Sequence, residues 1–333
     1  MDQVTRLPTA TAEVIEVSDQ LNDGYDVVVV GGGAAGLNAA LILTRSRRSV
    51  VVIDAGAPRN APAAAVHGLL AREGMPPTEL LERGRAEARS YGAHVVTGEV
   101  STVASDDDGF EIALADGRTV RARRVLVATG LVDELPDIPG LRDRWGRDVL
   151  HCPYCHGWEV RDQAIGVLAT GPLSVHQALL FRQLSDDVTV FSNTGPLAGE
   201  EAEQLAARGI SVVDGEVASI EIADDRLVGV RMSDGTLVKR EVLAVAPRMA
   251  ARADFLSGLG LTPAEHPAGL GQHIPADPTG RTDVPGVWVA GNVTDLTAHV
   301  GGAAAAGALA AAQINADLVV EETIRAVAAD ARP

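Results

Sequence analysis

The chain has little cysteine, with two in 333 residues. That excludes a disulfide-rich secreted scaffold and a four-cysteine zinc site, and no metal is expected. It is also short of positive charge: 28 Lys and Arg face 45 Asp and Glu, a formal net charge of −17. So acidic a surface repels a phosphate backbone or an anionic membrane. The nearest thing to a basic patch, Arg121, Arg123 and Arg124, stands close to Asp106, Asp107, Asp108 and Asp116. Long hydrophobic runs are missing too. No stretch of about 18 large apolar residues occurs, and the Ala/Gly run from Gly301 to Ala312 is too short and small-sided to cross a bilayer. The first twenty residues hold one Arg and no apolar run, so no signal peptide is expected. These absences lead to a cytoplasmic protein with neither nucleic acid nor membrane as partner.

What is present is a globular composition, 46% hydrophobic and 22% charged, of a length that suits two domains. Tyr25 to Val30 is an apolar, β-branched run like those of buried parallel strands. Gly31-Gly32-Gly33-Ala34-Ala35-Gly36 follows, then helical spacing from Leu37 to Arg45 and a strand from Ser49 to Ile53 that ends in Asp54. This is a βαβ unit. Thr78 to Tyr91 reads as a helix opened by Pro77. Residues 93–128 alternate short strands with turns at Asp108-Gly109 and Asp116-Gly117, a β-meander ending in Ala128-Thr129-Gly130. Pro136, Pro139 and Gly140 mark a linker. The pattern then restarts: a strand at Ala164 to Ala169, a helix from Pro172 through Gln183, a strand from Val188 to Phe191 and a second meander over 210–245. Val287 to Ala290 is a last strand, and a small-residue helix runs from about Val300 to Asp317. The expected fold is α/β, two Rossmann-like units of the three-layer dinucleotide-binding type, the second inserted in the first. Residues 1–22 form an N-terminal extension, 23–132 and 247–333 the first unit, and 133–246 the insert.

Gly31-x-Gly33-x-x-Gly36 between strand and helix permits a tight turn and close backbone approach to a pyrophosphate. The helix start at Ala34 and Ala35 offers free N–H groups. Asp54, at the end of the second strand, suits a ribose 2′-hydroxyl. At the other end of the chain, Thr282-Asp283-Val284-Pro285-Gly286 leads through the last strand into Gly291-Asn292. This segment resembles the second fingerprint of FAD-binding proteins, with Asn292 in place of the usual Asp. An Asn can still bond a ribityl hydroxyl but adds no charge. With Val100, Thr129 and Gly130 beside them, these residues assign FAD, held by segments from both ends of the chain.

Both cysteines fall in Cys152-Pro153-Tyr154-Cys155-His156-Gly157. A C-x-x-C on a turn entering a helix allows reversible disulfide formation, with one thiolate favoured by the helix start. His151 and His156 flank the pair. An adjacent imidazole serves as base for a dithiol or as charge partner for a thiolate, and the plain alternative is two polar surface histidines.

An FAD motif, an inserted α/β unit carrying C-x-x-C and a return to the first unit resemble the low-molecular-weight thioredoxin reductases from about Tyr25 to the C-terminus. The resemblance implies that Cys155 faces the flavin, that Cys152 exchanges with substrate and that the protein is a homodimer. Those reductases carry an acidic residue after the second cysteine; here it is His156. The run through Glu159 looks more like the dithiol oxidases of gliotoxin and holomycin biosynthesis, which close small-molecule disulfides with oxygen. In the family the start of the C-terminal helix points at the flavin. His299 sits there, with Val300, where reductases carry Gln, and reads either as a flavin contact and proton carrier or as an ordinary helix-start residue. His67, in the loop after Asp54, is a weaker candidate.

A nicotinamide site needs a second glycine fingerprint, and its place reads Ala169-Thr170-Gly171. No basic residue that could clamp a 2′-phosphate stands at Phe191-Ser192-Asn193-Thr194. NADPH binding is therefore doubted. The expected activity is an FAD-dependent thiol–disulfide oxidoreductase that oxidises a dithiol, with oxygen as acceptor. The alternatives are an NADPH-dependent reductase of a thioredoxin-like protein and a flavin–thiol redox sensor.

Overall fold

The computed structural model describes residues 20–193, 195–197 and 199–330. Most of the expected N-terminal extension, including the stretch read for a signal peptide, lies outside the described residues, as does Thr194. Leu21, at the extension's inner end, packs against the core.

The first half runs β1 (Gly24–Val30), α1 (Ala34–Arg45), β2 (Val50–Asp54), α2 (Pro77–Ser90), β3 (His94–Thr97), β4 (Val100–Asp106), β5 (Gly109–Leu114) and β6 (Thr119–Val127). The valine run of β1 sits at the sheet centre because both its faces are covered. Val27 and Val29 pack with α1, and Val28 and Val30 with the meander, since successive strand side chains alternate. β1 pairs in parallel with β2 and β6. β3 extends this parallel sheet beside β2, so it is not the first strand of the meander. Its Val95 and Val96 are both buried, a two-sided burial that a turn pattern does not register.

β7 (Leu131–Glu134) leads away to β8 (Val149–Leu150), α3 (Pro153–His156), β9 (Ile165–Leu168), α4 (Ser174–Phe181), β10 (Val188–Phe191), α5 (Gly199–Ala207) and β11 (Ser211–Val213). A three-stranded antiparallel meander follows, β12 (Val217–Ala223), β13 (Arg226–Met232) and β14 (Leu237–Val238), and then β15 (Val242–Val245). The second sheet has the order β11-β10-β9-β15-β8 and is parallel throughout. The meander is thus shorter than the sequence suggested, because β11 and β15 pair with β10 and β9. α4 also begins at Ser174, so Pro172 precedes it rather than opening it.

β16 (Arg248–Ala251) brings the chain back, antiparallel to β7, with Asp133 opposite Met249. β17 (Ala264–Glu265) and β18 (Gly271–His273) complete that small sheet, and β19 (Val287–Val289) joins the first sheet beside β6.

α6 (Val300–Asp330) is longer than expected. By length and composition it would suit a membrane span. Up to Leu318 one face of it is instead buried, packed on α1: a Cβ on Gly307 would lie 2.0 Å from the Ala35 carbonyl oxygen, so only glycine permits this approach. Ile314 and Leu318 are fully buried in the same layer, each contributing about 1.5–3 kcal/mol. Farther along, Asp317 and Glu321 pair with Arg124, and Glu321 and Glu322 with Arg123. Arg121 pairs with Asp106. The basic cluster in the sequence is spent on the protein's own carboxylates.

Candidate active site

Register sets the site. Val30 lies beside Ile53 and Val127, and Val127 beside Val289. The residues that follow, Gly31, Asp54, Ala128 and Ala290, therefore emerge at one sheet edge, where ligands of open α/β sheets bind. A cavity of about 1500 Å³ opens there. Gly31, Gly33, Ala34, Ala35, Asp54, Val100, Thr129, Gly130, Gly291 and Asn292 line it. His151, Cys152, Cys155, His156, His299 and Val300 line the same cavity. Gly36 does not reach the cavity. A Cβ there would sit 1.9 Å from the Gly31 carbonyl oxygen, so its role is to close the turn.

The cradle fits FAD. A Cβ on Gly33 would meet nothing, so the middle glycine faces open space where a pyrophosphate needs room. α1 starts after Gly33 with no side chain capping it and no acid in its first turn, which leaves its N–H groups for an anion. Asp54 accepts from Arg85 at 2.8 Å and from the Gly56 N–H at 3.2 Å. The Thr129 hydroxyl donates to the Arg252 carbonyl at 2.6 Å. The Asn292 amide donates to the carbonyls of Asp295 and Ala298, both at 2.9 Å, and so shapes the loop that delivers His299. An Asp could not donate these bonds. The Asn292 oxygen accepts from Arg59 at 3.4 Å, and Arg59 also grips Asp133 through two bonds of 2.8 and 2.7 Å. Arg59 was not foreseen; in sequence it is one arginine in a loop.

Cys152 precedes α3 in extended conformation and Cys155 lies one turn on, which brings their sulfurs to 2.8 Å. Both are free thiols here. Cys155 donates to Cys152. That bond, with a smaller contribution from the nearby His299, holds the Cys152 thiol down to about 6 against burial. The same bond, together with burial, pushes Cys155 far above the usual thiol range. The reduced pair is thus a Cys152 thiolate supported by a Cys155 thiol.

The histidines divide. His299 Nε2 is 3.6 Å from Cys152 Sγ, and its ring packs against Tyr154 at 6.0 Å between centroids. His156 follows the pair in sequence, but its Nε2 is buried without a hydrogen-bond partner. Burial pushes it down, the charge of His67 adding and Glu159 opposing. His67 bonds Glu73 at 2.5 Å and approaches Glu159 at 3.5 Å. Burial, with Arg59 nearby, pushes His151 down to about 4, so it is neutral near pH 7. Of these four rings, it is that of His299 which reaches a cysteine sulfur.

The second sheet has a matching edge, where Leu168 lies beside Phe191 and Val245. The loop after β9 is closed by its own side chain. Ser174 Oγ accepts the N–H groups of Thr170 and Gly171 at 3.1 and 3.3 Å and donates to the Gly171 carbonyl at 2.8 Å. Those two N–H groups, in the loop that leads into α4, are thereby not free for an anion. Ser192 is buried and accepts the Gly215 N–H, and Asn193 accepts that of Val217. The place for a basic clamp is filled by small polar groups already bonded within the protein. A hydroxyl three residues after the surviving glycine was the available signal for this plug.

A family model described as pyridine nucleotide-disulphide oxidoreductase matches residues 25–316. The thioredoxin reductase tcpT of Claviceps purpurea is 33% identical over 315 residues, covering 90% of this chain and 97% of its own. The thioredoxin reductase sirT of Leptosphaeria maculans is 31% identical over 309 residues, covering 87% and 93%. Among solved structures, HlmI is 50% identical with a TM-score of 0.87, covering 93% of this chain and 97% of its own. An oxidoreductase from Agrobacterium tumefaciens is 33% identical with a TM-score of 0.83, covering 89% and 99%.

Proposed function

The chain belongs to the pyridine nucleotide-disulphide oxidoreductase family, and we propose that, as an FAD-dependent thiol–disulfide oxidoreductase, it runs toward oxidation of a small-molecule dithiol. The observation that carries this direction is the Ser174 plug. Two N–H groups of the loop where a second nucleotide site would lie are already taken, while the cysteine pair stands at the wall of the large cavity.

In the resting oxidised enzyme Cys152 and Cys155 form a disulfide. A substrate thiol gives its proton to a base, and the resulting thiolate attacks Cys152 Sγ. The S–S bond breaks and Cys155 leaves with the electron pair, taking a proton. With the first proton passed from the base to Cys155, the second substrate thiol gives its own proton to that base, its thiolate attacks the substrate sulfur of the mixed disulfide, and Cys152 departs as thiolate. Its lowered pKa makes it a good leaving group. His156 was expected to be the base; His299, in contact with Cys152, is better placed to take the substrate proton. Gly33, the α1 N-terminus and Asp54 would hold FAD at one end and Asn292 and Val300 at the other. Bound FAD supplies the two-electron sink that restores the disulfide, with oxygen as the terminal acceptor. The likeness to thioredoxin reductases supports a homodimer.

The test is anaerobic mixing with the flavin-loaded protein while its absorbance is followed. A dithiol such as dithiothreitol should bleach it and NADPH should not. Rapid bleaching by NADPH, with none by dithiol, overturns the reading in favour of a reductase.

A further inference from the structure

We propose that the reduced Cys152–Cys155 pair and His299 together form a redox-gated binding site for a thiophilic divalent cation of the zinc type. Two cysteines alone were too few for such a site. The third donor comes from the far end of the chain, where the Asn292 loop delivers His299 onto Cys152. The two sulfurs and the His299 Nε2 all lie within 4.8 Å of one another. Thiolate and imidazole are the ligands zinc prefers.

The spacing fits. Tetrahedral zinc with ordinary Zn–S and Zn–N bonds sets sulfur and nitrogen roughly 3.6 Å apart and two sulfurs roughly 3.8 Å apart. The Cys152–His299 separation is 3.6 Å. The sulfurs, at 2.8 Å, must part by about 1 Å, and neither cysteine is tied in a disulfide that would prevent it. Three protein donors leave a fourth position to a non-protein ligand, giving an open three-ligand site rather than a closed structural one.

Binding replaces the thiol protons remaining on the pair and transfers no electrons. A disulfide has no thiolate to offer, so the oxidised enzyme has no such site. Metal on the reduced pair blocks both sulfurs at once and arrests the enzyme until a chelator removes it. The inference needs only a reducible pair and is independent of the direction of turnover.

The experiment uses flavin-loaded protein reduced anaerobically with a phosphine, its free thiols counted before metal is added. Zn²⁺ affinity is read by competition with a chromophoric chelator, and Co²⁺ reports thiolate coordination by d–d bands to the red of the flavin. The expected result is one Zn²⁺ per chain when reduced and none when oxidised. His299→Ala should weaken binding at least about tenfold and Cys155→Ser should do the same, with flavin content showing that each variant is folded. A reduced protein with both thiols free that binds no Zn²⁺ overturns the inference and leaves the redox reading standing. Equal binding to oxidised protein, or to His299→Ala, also overturns it. A pair that cannot be reduced overturns both.

Discussion

His299 Nε2 lies 3.6 Å from Cys152 Sγ although 147 positions separate the two in sequence. The contact joins the start of α6 to the turn before α3, and so joins the two sheets at the reacting sulfur. It places a proton acceptor and potential cation against the more acidic of the two thiols.

Thiolates alkylate and thiols do not. With Cys152 held down to about 6, its alkylation by iodoacetamide in the reduced protein should climb through pH 6 and level off above it. Cys155, pushed the other way, should stay unmodified at neutral pH. His299→Ala removes one influence that lowers the Cys152 thiol, so the midpoint should move up. Peptide mass spectrometry across a pH series checks this, and an unmoved midpoint removes His299 from the account.

Cys152→Ser and Cys155→Ser should each abolish turnover while flavin stays bound, since in the proposed mechanism this dithiol carries every electron between cofactor and substrate. Residual turnover well above background in either variant would mean that another route exists. Flavin absorbance of the purified variants and oxygen uptake with a dithiol give the two readings.

NADPH should bind weakly at best. Two phosphate bonds lost to Ser174, at about 1 kcal/mol each, and an absent charged clamp, at about 2 kcal/mol, total about 4 kcal/mol, roughly a thousandfold in affinity. Calorimetric titration measures this. Tight binding to the unaltered protein would contradict the closed loop seen after β9.

Gly33→Ala and Gly36→Ala should separate binding from folding. A Cβ at Gly33 meets no protein atom but projects into the cradle, so that variant should fold and lose flavin. A Cβ at Gly36 falls 1.9 Å from the Gly31 carbonyl oxygen, so that variant should lose several kcal/mol of stability or fail to fold. Flavin content beside urea midpoints distinguishes the two, and identical behaviour would refute the assignment.

His151 gives the folded state an acid sensitivity. Its pKa falls from the ordinary 6.5 to about 4 on burial, so between those values the unfolded chain binds more protons. Stability should therefore be lost as pH drops from about 6.5 toward 4, with no further loss from this group below that. His151→Gln should flatten that part of the urea-midpoint profile; an unchanged slope would assign it to the carboxylates.

Much of this protein is written in neighbouring residues. Tyr25 to Gly36 specifies strand, turn and helix because β-branching, glycine and helix spacing act over a few positions. Cys152-Pro153-Tyr154-Cys155 specifies a redox pair because one helical turn brings the sulfurs together. The two-unit α/β architecture was legible for the same reason. The pairing of β3, β11 and β15 was not, because a short strand next to a turn looks alike whichever sheet accepts it. Nor was the Ser174 plug read, although the missing glycine and missing clamp pointed the same way. What only the tertiary structure decided is which distant groups meet: His299 with Cys152, Arg59 with Asp133 and Asn292, and the α6 carboxylates with the arginines of β6. These contacts depend on the register and crossing of sheets that the chain reaches from both ends. Proton affinity and ligand geometry are set by distances through space, and no local pattern along the chain encodes them.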